Sequence, residues 1–460
     1  MNNDFDQEPI QPGGYDSVPD DSMGVSEGVK PGDQFGSVTP GGGEKKNTVK
    51  MAGWVVLILL LAAGGVFGLL KLINGETAPT PKPGPEQPIH TDIEISDFDL
   101  SFLKLENNVA NEIYSPLSIK YATSLLRDGA SGETRTEIDN VLGDIQLTKY
   151  DNIEGVLGLA NAVIIREDFV DNVKQSYIQN ANQAYNAEII YDSFADSSTL
   201  DTWIDNKTFG LIKTSGANVN PESRMILANA LAIQMDWARR FDTVSTHGAE
   251  FTKADGTMMT ATMMSIEEGT DDIQYYKNDD VTVVSKDLKD YDGTQLEFIA
   301  IMPEGDLSSY VESMKADDLN SLLDKRIGAS TVEGGVILHI PKFKYDYQLR
   351  FIDDLRLLGI NLAFEDTADF SEMDELNELK VGDAIHKATI DFSEDGIKAA
   401  AITAFVMDEK SAMMESQPLV VDINKPFLFL IRDKNNGENW FVGTVYEPNL
   451  WESDQQAYDM

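Results

Sequence analysis

The chain has 460 residues, no cysteine and a formal net charge of −42. Residues 1–50 carry 9 acidic and 4 basic side chains and residues 51–91 carry 2 of each, so −37 of that charge belongs to residues 92–460. Disulfides and thiol chemistry are excluded, and so anionic a surface repels phosphate backbones, which argues against nucleic acid as a partner.

Residues 1–50 hold 9 Gly and 5 Pro and few large apolar residues. They bury too little to offset chain entropy and are expected to be disordered. Met51–Leu70 is a run of 20 residues without a charge. As a helix rising about 1.5 Å per residue it spans roughly 30 Å, so a transmembrane helix is predicted. Lys45, Lys46 and Lys50 precede it and Lys71 follows, a bias that places the N-terminus in the cytoplasm and the remainder outside. A buried core helix and a cleaved signal peptide are the alternatives. Against the second, the run and the leader before it are both long for such a peptide. Residues 71–91 read as a linker in which Pro79, Pro81, Pro83, Pro85 and Pro88 favour an extended spacer.

Residues 92–450 alternate helical and strand patterns without a linker-like break and read as one domain, followed by a C-terminal tail, 451–460. Apolar residues recur at helical spacing in Ser118–Arg127 and Gly132–Leu142. Short runs rich in Val, Ile and aromatics predict strands at Ala160–Ile165, Met225–Met235, Gln295–Ile301, Gly335–Ile340, Pro426–Ile431 and Trp440–Tyr446. Helices dominate the first half and strands the second, which is an α+β pattern with large antiparallel or mixed sheets.

Constellations for catalysis are poor. The four histidines are His90, His247, His339 and His386, and no nucleophile elbow, zinc-protease motif or phosphate-binding loop occurs. Asp290–Gly293 has a calcium-loop flavour, but Leu288 and Ile299 occupy ligand positions. The acidic run Glu365–Glu378 reads as a solvated face. Asn206-Lys-Thr208 is a glycosylation triplet that matters only in a eukaryotic secretory route. No catalytic residue, metal site or cofactor is expected.

Ser393–Ser411 reads SEDGIKAAAITAFVMDEKS. At period two, Ile397, Ala399, Ala401, Thr403, Phe405 and Met407 form an apolar or small face. Lys398, Ala400, Ile402, Ala404, Val406 and Asp408 form the other, which ends in charge. A strand buried on one side fits this pattern, yet the segment runs into DEKSAMMESQ, which looks like an exposed loop. An Ala-rich helix is the alternative.

This segment resembles the hinge and reactive-centre loop of serpins, with Glu394, Asp395, Gly396, Ala399, Ala400, Ala401 and Thr403 in register. Other elements resemble that family in order: Asn111–Ile119, Asn229–Trp237 with Phe241, Pro341-Lys-Phe343, Leu358-Gly-Ile360, Ala368–Ser371, His386-Lys-Ala388, Lys425–Phe429 and Val442–Val445. The resemblance implies three β-sheets and eight to nine helices, and a serine-protease inhibitor that is cut and forms a covalent complex. It implies a hinge at Glu394, Asp395, Gly396, Ile397, Lys398, Ala399, Ala400 and Ala401. It also implies a polar cluster under the opening sheet, the shutter, at Ser115, Ser118, Asn229 and His386, and a tryptophan at the loop's point of entry, the breach, at Trp237. Counting fourteen from Gly396 puts the reactive bond at Lys410–Ser411 and implies a trypsin-like target. Met407, Met413 or Met414 are alternatives, because the stretch from Lys410 to Pro426 is longer than the family norm. Ile397 stands where the family has Thr or Ser. The Ala399–Ala401 run speaks against the rival reading, a non-inhibitory chaperone, carrier or adhesion protein.

Overall fold

The computed structural model describes residues 94–145, 147–219, 222–397 and 417–452. The expected membrane helix Met51–Leu70, its leader and linker, and the loop from Lys398 through the reactive bond lie outside the described residues. Among the described residues no helix is long and apolar enough to cross a membrane.

The described helices are α1 (Asp97–Glu106), α2 (Pro116–Gly129), α3 (Gly132–Leu142), α4 (Gln175–Tyr185), α5 (Ser198–Lys207), α6 (Leu307–Ser313), α7 (Ala316–Leu323) and α8 (Ile352–Leu358). Helix α3 has the predicted bounds and buries Thr134, Ile138 and Leu142, one residue per turn. Helix α2 starts earlier than predicted. Ser115 caps it by accepting from Ser118 N, and Pro116 fills the first helical position, where no amide donor is needed.

The strands begin with β1 (Glu112–Tyr114), β2 (Leu157–Arg166), β3 (Glu188–Asp192), β4 (Met225–Ile233), β5 (Met235–Asp236), β6 (His247–Thr252), β7 (Met258–Glu268), β8 (Ile273–Lys277) and β9 (Val281–Asp287). They continue with β10 (Leu296–Pro303), β11 (Ile327–Gly328), β12 (Val336–Pro341), β13 (Phe343–Arg350), β14 (Ile385–Phe392), β15 (Gly396–Ile397), β16 (Leu419–Asp422), β17 (Phe427–Asp433) and β18 (Asn439–Val445). All six predicted strands are present, and the fold is α+β.

One seven-stranded sheet runs β1-β18-β17-β10-β9-β8-β11, and a four-stranded sheet runs β16-β12-β7-β6, with β16 parallel to β12. The remaining strands form two pieces, β3-β2-β4 and β13-β14-β15-β5. The resemblance implied three sheets, and the described residues form four hydrogen-bonded ones. The reason is local: only Gln234 separates β4 from β5, so the two pieces are halves of one surface that the chain joins at a single end. Under that end lies an aromatic core in which Phe343 and Phe392 stack at 4.6 Å and Phe298 packs against Phe392 at 4.5 Å.

Candidate functional site

The split between the halves is the site. Strand β4 pairs with β2 from Met225 to Ile233, and β14 pairs with β13 from Ile385 to Phe392. Among the described residues, the facing edges of β4 and β14 pair with no strand along this length. Unpaired edges of this kind are templates for another strand. The cleft between them is lined by Leu231, Ile233, Ile390 and Ile397, with Ile431 and Phe441 also contributing. Leu211 and Ile212, from the segment after α5, complete it. That segment is tied to the far half by Lys387 Nζ donating to Thr214 O at 2.9 Å and Arg350 Nη2 to Gly216 O at 3.0 Å.

At one end the cleft is closed by the chain's own next residues. Ser393 N donates to Gly396 O at 3.1 Å and Gly396 N to Ser393 O at 3.3 Å, a tight turn with Glu394 and Asp395 at its tip. The chain then returns antiparallel to β14. Ile397 pairs with Phe392 on one side and Met235 on the other, and Gly396 pairs with Asp236. A Cβ on Gly396 would lie 2.1 Å from Met235 O, so only glycine fits. Ile397 is 3% exposed. Its apolar side chain, the departure noted in the sequence, sits in the core.

The turn is clasped from below and beside. Trp237 Nε1 donates to Ser393 O at 2.8 Å, Trp237 N to Asp395 O and Phe241 N to Glu394 O, each at 3.0 Å. The indole is buried, edge-on to Phe392 at 5.2 Å and to Phe241 at 5.9 Å. Glu394 meets Lys342 Nζ at 2.7 Å and Thr246 Oγ1 at 2.8 Å, and Asp395 meets Arg240 at 3.0 Å. Burial opposes the charge of Glu394, but the Lys342 and Thr246 bonds outweigh it and hold the carboxyl below its usual range. Thr246 and Arg240 carry no signal in the sequence, and Lys342 stands out there only within Pro341-Lys-Phe343.

Beneath the cleft runs a chain of polar groups. Ser115 N donates to His386 Nε2 at 3.0 Å, and Ser118 Oγ donates to Asn229 Oδ1. Asn229 Nδ2 donates to Asn161 Oδ1 at 2.8 Å, and Asn161 Nδ2 to Tyr185 O at 2.8 Å. Ser115, Ser118, Asn229 and His386 are thus brought together, and β2, β4, β14 and α2 meet through them. Asn161 and Tyr185 were missed. The one polar side chain in the apolar run Ala160–Ile165 was the signal for Asn161. Burial pushes His386 down to about 4. The ring is neutral, and accepting at Nε2 places its proton on Nδ1.

Lys398, Ala399, Ala400, Ala401, Lys410 and Ser411 lie outside the described residues. Among the described residues, no group of three His, Asp or Glu side chains is placed to hold a metal ion.

A family model described as Serpin (serine protease inhibitor) matches residues 96–448. An uncharacterized serpin-like protein of Thermococcus kodakarensis is 27% identical over 389 residues, which covers 80% of this chain and 87% of that protein. Serpin-Z1B of Triticum aestivum is 31% identical over 377 residues, covering 74% and 91%. Among solved structures, that of a thermophilic serpin, tengpin, in the native state aligns with a TM-score of 0.64 at 26% identity, over 80% of this chain and 96% of that one.

Proposed function

Since the chain belongs to the serpin family, whose members generally inhibit serine or cysteine proteases and are not themselves catalysts, we propose that it traps a trypsin-like serine protease by cleavage and insertion of its reactive loop. The observation that carries this reading is the pair of edges on β4 and β14 that no strand among the described residues pairs, with Gly396 and Ile397 already seated between the strands above them. A strand started there needs only the residues that follow to extend it.

The chemistry runs through the protease. Its serine attacks the Lys410 carbonyl, the Ser411 amine leaves, and an acyl-enzyme remains on Lys410. The freed arm then extends β15 down the cleft and carries the protease with it, and distortion of the protease stalls hydrolysis. Ile397 is buried, so Ala399, Ala401, Thr403, Phe405 and Met407 follow it inward at period two. Met51–Leu70 anchors the protein in a membrane with residues 1–50 cytoplasmic and the serpin domain extracellular.

Incubation with a panel of serine proteases followed by denaturing electrophoresis tests the proposal. A protease–inhibitor band that survives boiling in detergent is expected, with a released peptide that begins at Ser411. Clean cleavage of the loop without such a band by every protease would turn the reading to a non-inhibitory chaperone, carrier or adhesion protein. A released peptide starting at Ala412, Met414 or Glu415 would move the reactive bond and the protease class. Extraction by alkaline carbonate would remove the membrane anchor from the proposal.

A further inference from the structure

Lys286 on β9 is a buried lysine, 2% exposed, and its Nζ has no hydrogen-bond partner among the described residues. It lies 5.8 Å from the ring centre of Trp237 and 5.3 Å from that of Phe241, the two residues that clasp the hinge turn. Phe298, Phe392, Leu338 and Ile340 line the small apolar space beside it. Four charged groups act on it: Glu268 at the end of β7, Asp272 after it, Asp287 on β9 itself, and Arg239 after β5. Two of the three anions are committed elsewhere. Glu268 takes Arg239 on both oxygens at 3.0 Å and accepts from Gly269 N, Thr270 N and Thr270 Oγ1. Asp287 is paired with Lys434. The rings supply a cation–π attraction but no bond.

We infer that Lys286 is a positioning residue of the hinge, whose unpaired ammonium, boxed beneath Trp237 and Phe241, lowers the cost of opening the sheet at Ile397. The inference rests on the insertion mechanism proposed above. A buried charge without a partner penalises the closed arrangement. Any separation of β14 from β5 moves Phe392 away from Trp237, loosens the box and lets the amine reach water. Burial pushes Lys286 down to about 8, against the pull of the three carboxylates. Below that pH the closed form carries the full penalty. As pH rises past it the amine becomes neutral, the closed form gains relative stability and opening slows.

The test uses the intact chain and an acetylated synthetic peptide of residues 397–410, which must displace the seated hinge to enter the sheet. Its incorporation is followed by the rise in thermal stability, without any protease. The rate constant is expected to fall about tenfold between pH 7 and pH 9.5. In Lys286→Met it should be slow and flat across that range, with a higher melting temperature for the uncut variant. A flat profile in the unaltered chain, or an unchanged slope in Lys286→Met, overturns the inference while leaving insertion intact. Should Lys286→Met fail to fold, the profile of the unaltered chain decides alone. If the peptide enters neither protein at any pH, strand insertion itself falls and this inference with it.

Discussion

Strands β10 and β14 teach opposite lessons. Strand β10 is buried at all eight positions and is paired along both edges, with β9 and β17. Strand β14 buries only alternate residues, His386, Ala388, Ile390 and Phe392, and among the described residues is paired below Phe392 on one edge. The first is finished structure, where hydrophobic burial and hydrogen bonding are complete. The second is left incomplete, and the polar chain from His386 to Tyr185 holds its surroundings in place without closing them. On the insertion mechanism proposed above, stability resides in one sheet and the capacity to change in the other.

The contrast is broken most strongly by Phe298→Ala. That ring fills the space between the seven-stranded sheet and the hinge, so its loss should cost roughly 3–5 kcal/mol, read as a fall in denaturant midpoint at unchanged slope. A comparable loss from Ile233→Ala, which lines the open cleft, would show that the two sheets share the load equally.

Next is pH. His386 has its pKa lowered on folding, so its contribution is present above its ordinary value of about 6.5 and is lost as pH falls from there through about 4. The unfolded chain binds the extra proton in this window, and up to about 3 kcal/mol should disappear across it. Urea midpoints from pH 7 to pH 4 measure this, and His386→Gln should flatten that part of the profile. An unchanged profile would assign the acid sensitivity to carboxylates.

Ala401→Arg asks whether the open edge receives a strand. On the inward face it should slow insertion roughly a hundredfold, or about 2.7 kcal/mol, and raise the ratio of inhibitor consumed to protease trapped. Thr403→Arg should behave alike and Ala400→Arg should do less. Equal damage from Ala400→Arg would remove the period-two arrangement.

Asn229→Ala has the smallest expected effect. It strands Ser118 and Asn161, at about 1–3 kcal/mol. Together with Asn161→Ala it should cost less than the sum of the two single changes, because both break one chain. Strict additivity would mean the hydrogen bonds act separately.

How much of this was legible depended on range. Helix α3 and strands β2, β4, β10, β12, β17 and β18 carry their own periodicity, so local pattern sufficed for them. The serpin resemblance drew Ser115, Ser118, Asn229 and His386 together although 271 positions separate Ser115 from His386, a distance no window spans. Local pattern was silent where a lone residue finds a distant partner. Arg240 on Asp395 and Thr246 on Glu394 are ordinary surface residues until the turn at Ser393–Gly396 comes to them. Ile397 departs from the Thr or Ser of the family pattern, and its burial between Met235 and Phe392 shows how an apolar side chain is accommodated there. Lys286 carried no signal at all: a lysine amid Val and Ser in a strand looks like an exposed edge.

The parallel pairing of β16 with β12 has a geometric consequence. The 21 residues 398–418 connect Ile397 to Leu419, which belongs to a different sheet. Fully extended, that many residues measure roughly 69 Å, but a cord fixed at both ends must come back as far as it goes down. While β16 stays in place, such a cord can reach to at most about half that depth, roughly 35 Å, and less by whatever separates its anchors. On the insertion mechanism proposed above, a cut after Lys410 removes the return journey: 13 residues then have a free end and roughly 43 Å of reach, about 8 Å more than the tethered cord at its longest. Scission adds no new attraction between the arm and the sheet. On that mechanism it lifts a constraint of connectivity, and the arm gains length rather than affinity.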